Sequence, residues 1–213
     1  DISGQRFSDV GAHALATLRH APTLETLTLG IGGPMLGDSG ARALATLACA
    51  PALRSLNLLL VGPQIGDDGA RALVALQEAP ALKSLQLFLM ANRITDAGVQ
   101  ALAGLKDACA LTALGLSLHS TGIGDVGAEA LATLNASPSL KAFRLSLVGT
   151  RVGDTGAQAL TALKQGPSLT DLSLNVRGTR VGARGIDALT ALKEVPALKL
   201  ELRLPARKML DAV

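Results

Sequence analysis

The sequence predicts an α/β solenoid, a stack with parallel strands along one side and α-helices along the other. Three observations carry that expectation. A landmark returns every 29 residues, at Pro22, Pro51, Pro80, Cys109, Pro138, Pro167 and Pro196, each followed two positions later by a leucine. Each unit opens with apolar residues at a period of two, as in Leu85, Leu87 and Leu89, which puts them on one face of a short strand. Each unit then shifts to helical spacing, as in Ile94, Gly98, Ala101, Leu102 and Leu105. A strand and a helix that are each apolar on one side cannot bury those sides alone, so every unit needs neighbours of its own kind. Helices are about 10 Å wide and stacked strands only ~4.8 Å apart, so the stack curves with its strands inside.

The expected organisation is a single repeat domain over residues 1–213. Residues 1–21 read as the helix half of a partial repeat. There Phe7, Asp9, Gly11, Ala14, Leu15 and Leu18 match Leu36, Asp38, Gly40, Ala43, Leu44 and Leu47. The strand of that repeat is expected upstream or lost, in a processed or truncated chain. Six full repeats follow over 22–195, without a slip in register. Each holds a strand (27–32 and 56–61 in the first two), a turn rich in Gly with Pro or Thr, and an aliphatic anchor. The anchors are Leu36, Ile65, Ile94, Ile123, Val152 and Val181. A helix of about three turns comes next.

An aspartate stands at the start of each helix: Asp9, Asp38, Asp67, Asp96, Asp125 and Asp154. These are expected to be N-caps, because the first helical N–H groups lack partners and a carboxylate accepts from them. The sixth full repeat has Ala183 there, and its helix is expected to start less firmly, by about 1 kcal/mol. Two residues after each aspartate lies a glycine, which costs helix stability; it is expected to admit a close neighbouring backbone. Residues 196–213 read as a C-terminal cap. Leu200, Leu202 and Leu204 come one residue early and alternate with charges, which discourages pairing with another sheet edge.

These residues resemble a leucine-rich repeat of the ribonuclease-inhibitor type, by LxxLxL followed by IxDxGAxALAxL at a period of 29. The resemblance implies a horseshoe with a parallel sheet on the concave face, α-helices on the convex face, and protein binding through the inner face or loops. It also implies an asparagine after each strand. Here the strand carries an extra alternating pair, and the shifted position holds Asn92, then Thr121, Thr150 and Thr179, with Pro34 and Pro63 earlier. A continuous asparagine ladder is therefore not expected, and hydroxyls take over part of it.

No catalytic motif appears, and the protein is expected not to be an enzyme and to use neither cofactor nor metal. His13, His20 and His119 have no second ligand nearby in sequence or by repeat position. The GIGDVG run at 122–127 has the wrong period for a calcium-binding roll. With three Phe, no Trp and no Tyr, and a net charge of only +3, base stacking and phosphate neutralisation are both poorly served, so nucleic acid is not an expected partner. No apolar run approaches the ~18 residues of a membrane span. Cys49 and Cys109 are too far apart in the stack for a disulfide. They are expected to be buried or half-buried thiols, which favours a reducing intracellular compartment, with organelle import left open.

Two surfaces are candidates for a partner. Adding 29 along the inner face brings Leu59, Val61, Phe88 and Met90 side by side, with His119 next in line. Contiguous apolar surface commonly marks a binding site. Charge is also uneven. Residues 1–137 hold 8 Lys and Arg against 11 Asp and Glu, whereas 138–213 hold 12 against 6. Arg144, Arg151, Arg177 and Arg180 lie in that basic part and suit an acidic protein segment, a phosphate or an anionic lipid. The expected function is a non-catalytic protein-interaction scaffold, as a subunit or accessory component of a larger complex. Two alternatives are the sensor region of a longer receptor-like protein and a GTPase-activating repeat protein.

Overall fold

The structure is a computed structural model and describes residues 8–205. The parts of the partial repeat and of the C-terminal cap at 1–7 and 206–213, Phe7 included, lie outside the described residues. Strands and helices alternate through the chain: α1 (Asp9–Ala16), β1 (Thr26–Gly32), α2 (Asp38–Ala45), β2 (Ser55–Val61), α3 (Asp67–Leu73), β3 (Ser84–Phe88), α4 (Asp96–Leu102), β4 (Ala113–Ser117), α5 (Asp125–Ala132), β5 (Ala142–Ser146), α6 (Asp154–Leu160), β6 (Asp171–Asn175), α7 (Ala183–Thr190) and β7 (Lys199–Arg203). The strands form one parallel sheet in sequence order from β1 to β7. Partners are 29 residues apart, as in Leu56↔Leu85. The last pair is one residue shorter, Leu172↔Leu200, which is the early leucine of the last unit seen as register.

The alternating leucines of each strand point away from the inner face and meet the helices. Leu56, Leu58, Leu60, Leu85, Leu87 and Leu89 are fully buried, as are the anchors Leu36, Ile65, Ile94, Ile123 and Val152. The helical segment is less uniform than its spacing suggests. Each α-helix runs about two turns and continues as a tighter 3-10 turn, such as Ala103–Asp107 after α4. Threonine hydroxyls at this junction donate to carbonyls three residues back, as Thr46 does to Ala43 and Thr133 to Ala130, both at 2.7 Å.

The aspartates act differently from the expectation. Each is the first residue of its helix, and the N-cap positions are Ser8, Gly37, Gly66, Thr95, Gly124, Gly153 and Gly182. The carboxylates of Asp9, Asp38, Asp67, Asp96, Asp125 and Asp154 reach forward to the next repeat. Asp96 Oδ1 accepts from the N–H of Gly124 at 2.7 Å and of Gly127 at 3.0 Å, at the start of α5. The same pair recurs in every repeat, from Asp9 with Gly37 and Gly40 to Asp154 with Gly182 and Gly185. Unpaired helix N–H groups are thus satisfied from the preceding repeat. Ala183 is corrected by the same observation. Its helix receives its cap from Asp154, and Ala183 occupies the one position in the described stack with no helix after it to serve.

The helix glycine follows from this geometry. A Cβ at Gly127 would lie 2.5 Å from Asp96 Oδ1 and 2.8 Å from Ile123 Cγ2, so the incoming carboxylate and the unit's own anchor already fill that space. The two cysteines also differ from expectation. Cys49 and Cys109 are exposed free thiols, at the end of one 3-10 segment and just past the end of another. The reading of a reducing compartment loses its basis in thiol burial.

The turn after each strand explains why β3 to β6 are shorter than β1 and β2. Positions 91, 120, 149 and 178 are left-handed, with φ of 56°, 55°, 70° and 67°. Two of these hold Gly149 and Gly178, but the others hold Ala91 and Ser120. A left-handed non-glycine residue costs roughly 1–2 kcal/mol. Ala91→Gly is therefore expected to raise the midpoint of thermal or urea unfolding, by about 0.5–1 kcal/mol once the added chain entropy is subtracted. An unchanged or lower midpoint contradicts that assignment. Below this turn, buried Asn92 donates from Nδ2 to the carbonyl of Leu60 at 2.9 Å, one repeat back. The hydroxyls of Thr121, Thr150 and Thr179 donate to the carbonyl three residues back in their own turn, and that of Thr179 also accepts from the N–H of Val181. The asparagine ladder is broken here, as the sequence suggests, but the threonine hydroxyls stay within their own turns and do not take over its links between repeats.

Candidate functional site

Side chains that alternate with the buried leucines line the inner face, and the register fixes their rows. One row runs Gly30, Leu59, Phe88, Ser117, Ser146, Asn175 and ends at Arg203. The next runs through Asn57, Gln86, Gly115, Arg144, Ser173 and Glu201.

Two hollows lie on this face. The first, about 610 Å³, is walled by Leu59, Phe88 and Met90, with Gly30 opening its floor on β1. All three apolar side chains are half-buried. The sequence reading brought them together correctly, with one exception. Val61 is half-buried beside Gly32 and does not line the hollow. The second hollow, about 430 Å³, includes Gln86, Gly115, Arg144, Ser173, Glu201 and Arg203. Phe88, Ser117 and His119 line both, so the two hollows adjoin along the face and together make up a trough.

Charge in the second hollow is mostly compensated. Arg203 donates from Nε and Nη2 to Glu201 Oε1 at 3.0 and 2.8 Å, and Ser173 Oγ donates to Oε2 at 3.1 Å. The Arg203 hydrogen bond, followed by that of Ser173, holds the Glu201 carboxyl below the usual carboxylate range. Lys199 stands 3.9 Å from Asp171. Arg144 is exposed, and no carboxylate lies within ion-pair distance of it among the described residues. His119, at the junction, is hydrogen-bonded through Nε2 to Ser146 Oγ. Burial pushes its imidazole below the ordinary histidine value, favouring the neutral ring.

The other predicted arginines do not join the trough. Arg151 and Arg180 hold equivalent loop positions, their N–H groups donating to Ile123 and Val152 carbonyls at 2.8 Å. Their side chains and that of Arg177 are exposed, and none lines either hollow. Gln86, Gly115, Glu201 and Arg203 were missed. Adding 29 to Gln86 gives Gly115, Arg144 and Ser173, and the one-residue shift of the last unit then gives Glu201, so the signal was present. Among the described residues, no helix is long and apolar enough to cross a membrane.

The sequence profile of the family described as Leucine Rich repeat matches residues 82–103 and 111–132. Among solved structures, the chain is similar to an internalin from Listeria monocytogenes, at 18% identity and a TM-score of 0.50, over 91% of this chain and 51% of that one. It is also similar to a Leptospira interrogans LRR protein, at 14% identity and a TM-score of 0.42, over 87% of this chain and 50% of that one. The chain thus spans about half the length of each. No curated protein sequence matches it. The internalin likeness speaks to fold alone.

Proposed function

We propose that the chain, a leucine-rich repeat stack by its fold and by the match at residues 82–103 and 111–132, binds another protein along the inner face of its sheet, as that fold commonly does, and catalyses nothing itself. We take the 29-residue unit as the ribonuclease-inhibitor type, and the chain as a subunit or accessory component of a larger complex. The observation that supports this reading is the trough. Leu59, Phe88 and Met90 wall a hollow on a face whose other side chains, Val61 apart, are mostly polar or small, and it adjoins a polar hollow. An apolar centre with a polar margin suits a protein interface.

The test is the double variant Phe88→Asp, Met90→Lys. Both side chains are half-buried on the inner face and outside the leucine core, so the melting curve should stay within a few degrees of the parent. Affinity for a partner isolated on the wild-type chain should fall by about 100-fold or more. Unfolding of the variant would make the patch part of the core, and unchanged affinity would place the interface elsewhere.

A further inference from the structure

We infer that the trough is shaped for an extended segment of the partner that crosses the strands and carries two anchors, a large apolar side chain and a carboxylate about three or four residues away. This rests on the protein-binding reading above and adds the chemistry of the bound segment. The apolar anchor enters the hollow walled by Leu59, Phe88 and Met90. The carboxylate meets Arg144.

Charge complementarity selects the second anchor. The sheet face carries Arg144, Asp171, Lys199, Glu201 and Arg203. Asp171 and Lys199 pair with each other, and both oxygens of Glu201 are engaged by Arg203 and Ser173. Arg144 makes no ion pair of its own on the face; it feels Glu201 only at longer range, adding to the pull that lowers that carboxyl, and it lines the polar hollow. A planar guanidinium with open donors is matched by a carboxylate, two hydrogen bonds to two oxygens.

Between the anchors the floor is low. Ser117 presents little side chain, so a backbone can lie close to the sheet there, while the His119 ring reaches over to Ser146. Gln86 leans across Gly115, where its Oε1 lies 1.8 Å from the place a Cβ would take. Its amide is thus held over the path, able to bond a passing peptide group. Phe88 on β3 and Arg144 on β5 are two strand spacings apart across the sheet and two residues apart along it, together roughly 12 Å, and Leu59 on β2 is one strand further. An extended chain rises about 3.3 Å per residue, which sets the spacing of three or four.

The test pans a displayed library of random linear peptides on the wild-type chain, with Phe88→Asp and Arg144→Glu in parallel. Wild type should enrich peptides with a large apolar residue and an Asp or Glu at that separation. A resynthesised, fluorescein-labelled peptide from that pool should lose about tenfold or more in affinity on Arg144→Glu. The same peptide with its acid changed to Lys should lose as much on wild type and recover on Arg144→Glu. Arg144 is exposed and outside the core, and Arg144→Gln gives the same reading should the reversed charge disturb folding. Peptides that need Phe88 but carry no acid at that spacing, or ignore both Arg144 variants, overturn this inference and leave the interface reading standing. No enrichment, or binding indifferent to Phe88→Asp, removes both.

Discussion

Asp96→Ala is expected to lower the unfolding free energy by about 2–4 kcal/mol, a large loss for a side chain that is only half-buried. One carboxylate oxygen accepts two backbone N–H groups, Gly124 and Gly127, that have no helical partners of their own. Hydrogen bonds to charged groups contribute roughly 1.5–3 kcal/mol each, and the partial exposure of the site lowers the sum. The loss should appear as a lower urea midpoint. Gly127→Ala attacks the same joint from the other side, since its Cβ would push Asp96 Oδ1 and Ile123 apart. The matching control is Ala183→Asp. No described helix follows α7, so the new carboxylate finds no N–H pair and the midpoint should move by less than about 0.5 kcal/mol. A stabilising Ala183→Asp would mean that the aspartates cap their own helices after all.

Phe143→Ala should cost about 3–5 kcal/mol. Phe143 is completely buried and is the largest side chain in the core, in the row where Leu114 and Leu172 flank it. Its neighbours are held by their own repeats, so the space left by truncation closes only in part, and the lost packing adds to the lost burial. Phe143→Leu restores the residue type on both flanking strands and should cost only on the order of 1 kcal/mol. Equal losses in the two variants would show that the row does not set the packing there. Repeats in a stack touch only their neighbours, so amides in β4 and β6 should lose protection before those in β1.

The fold was legible because period and burial carry the same information. Leu85, Leu87 and Leu89 must share a face if they alternate, and a spacing of 29 fixes which residue of β4 each one meets. The direction of the aspartate bonds was not legible, for a reason built into repetition. Asp96 lies two residues before Gly98 in its own unit and 31 before Gly127 in the next, and a periodic sequence shows the same Asp and Gly columns in either case. Only side-chain geometry separates the two. The inner face divides similarly. Leu59, Phe88 and Met90 were found by adding 29, because each is apolar where its column should be solvated. Val61 fits the same arithmetic, but it does not line the hollow although Met90, at the equivalent position of the next repeat, does. Arg151, Arg177 and Arg180 share a charge with Arg144 but sit on loops beyond the strand ends, and a count of charges by segment cannot separate loop from sheet.

The partner face and the aspartate joints depend on each other. Phe88 and Arg144 stand at their separation only because three successive strands, β3 to β5, keep one register, and each register is fixed again at the helix side by a carboxylate from the unit before.

Amide hydrogen exchange on Asp96→Ala, read residue by residue, tests that joint most directly. The amides of Gly124 and Gly127 should exchange faster than in the parent, while Gly98, whose N–H is held by Asp67, keeps its protection. Lost protection at Gly98 and the rest of α4, with Gly124 and Gly127 unchanged, would contradict a stack in which each repeat is held by the one before it.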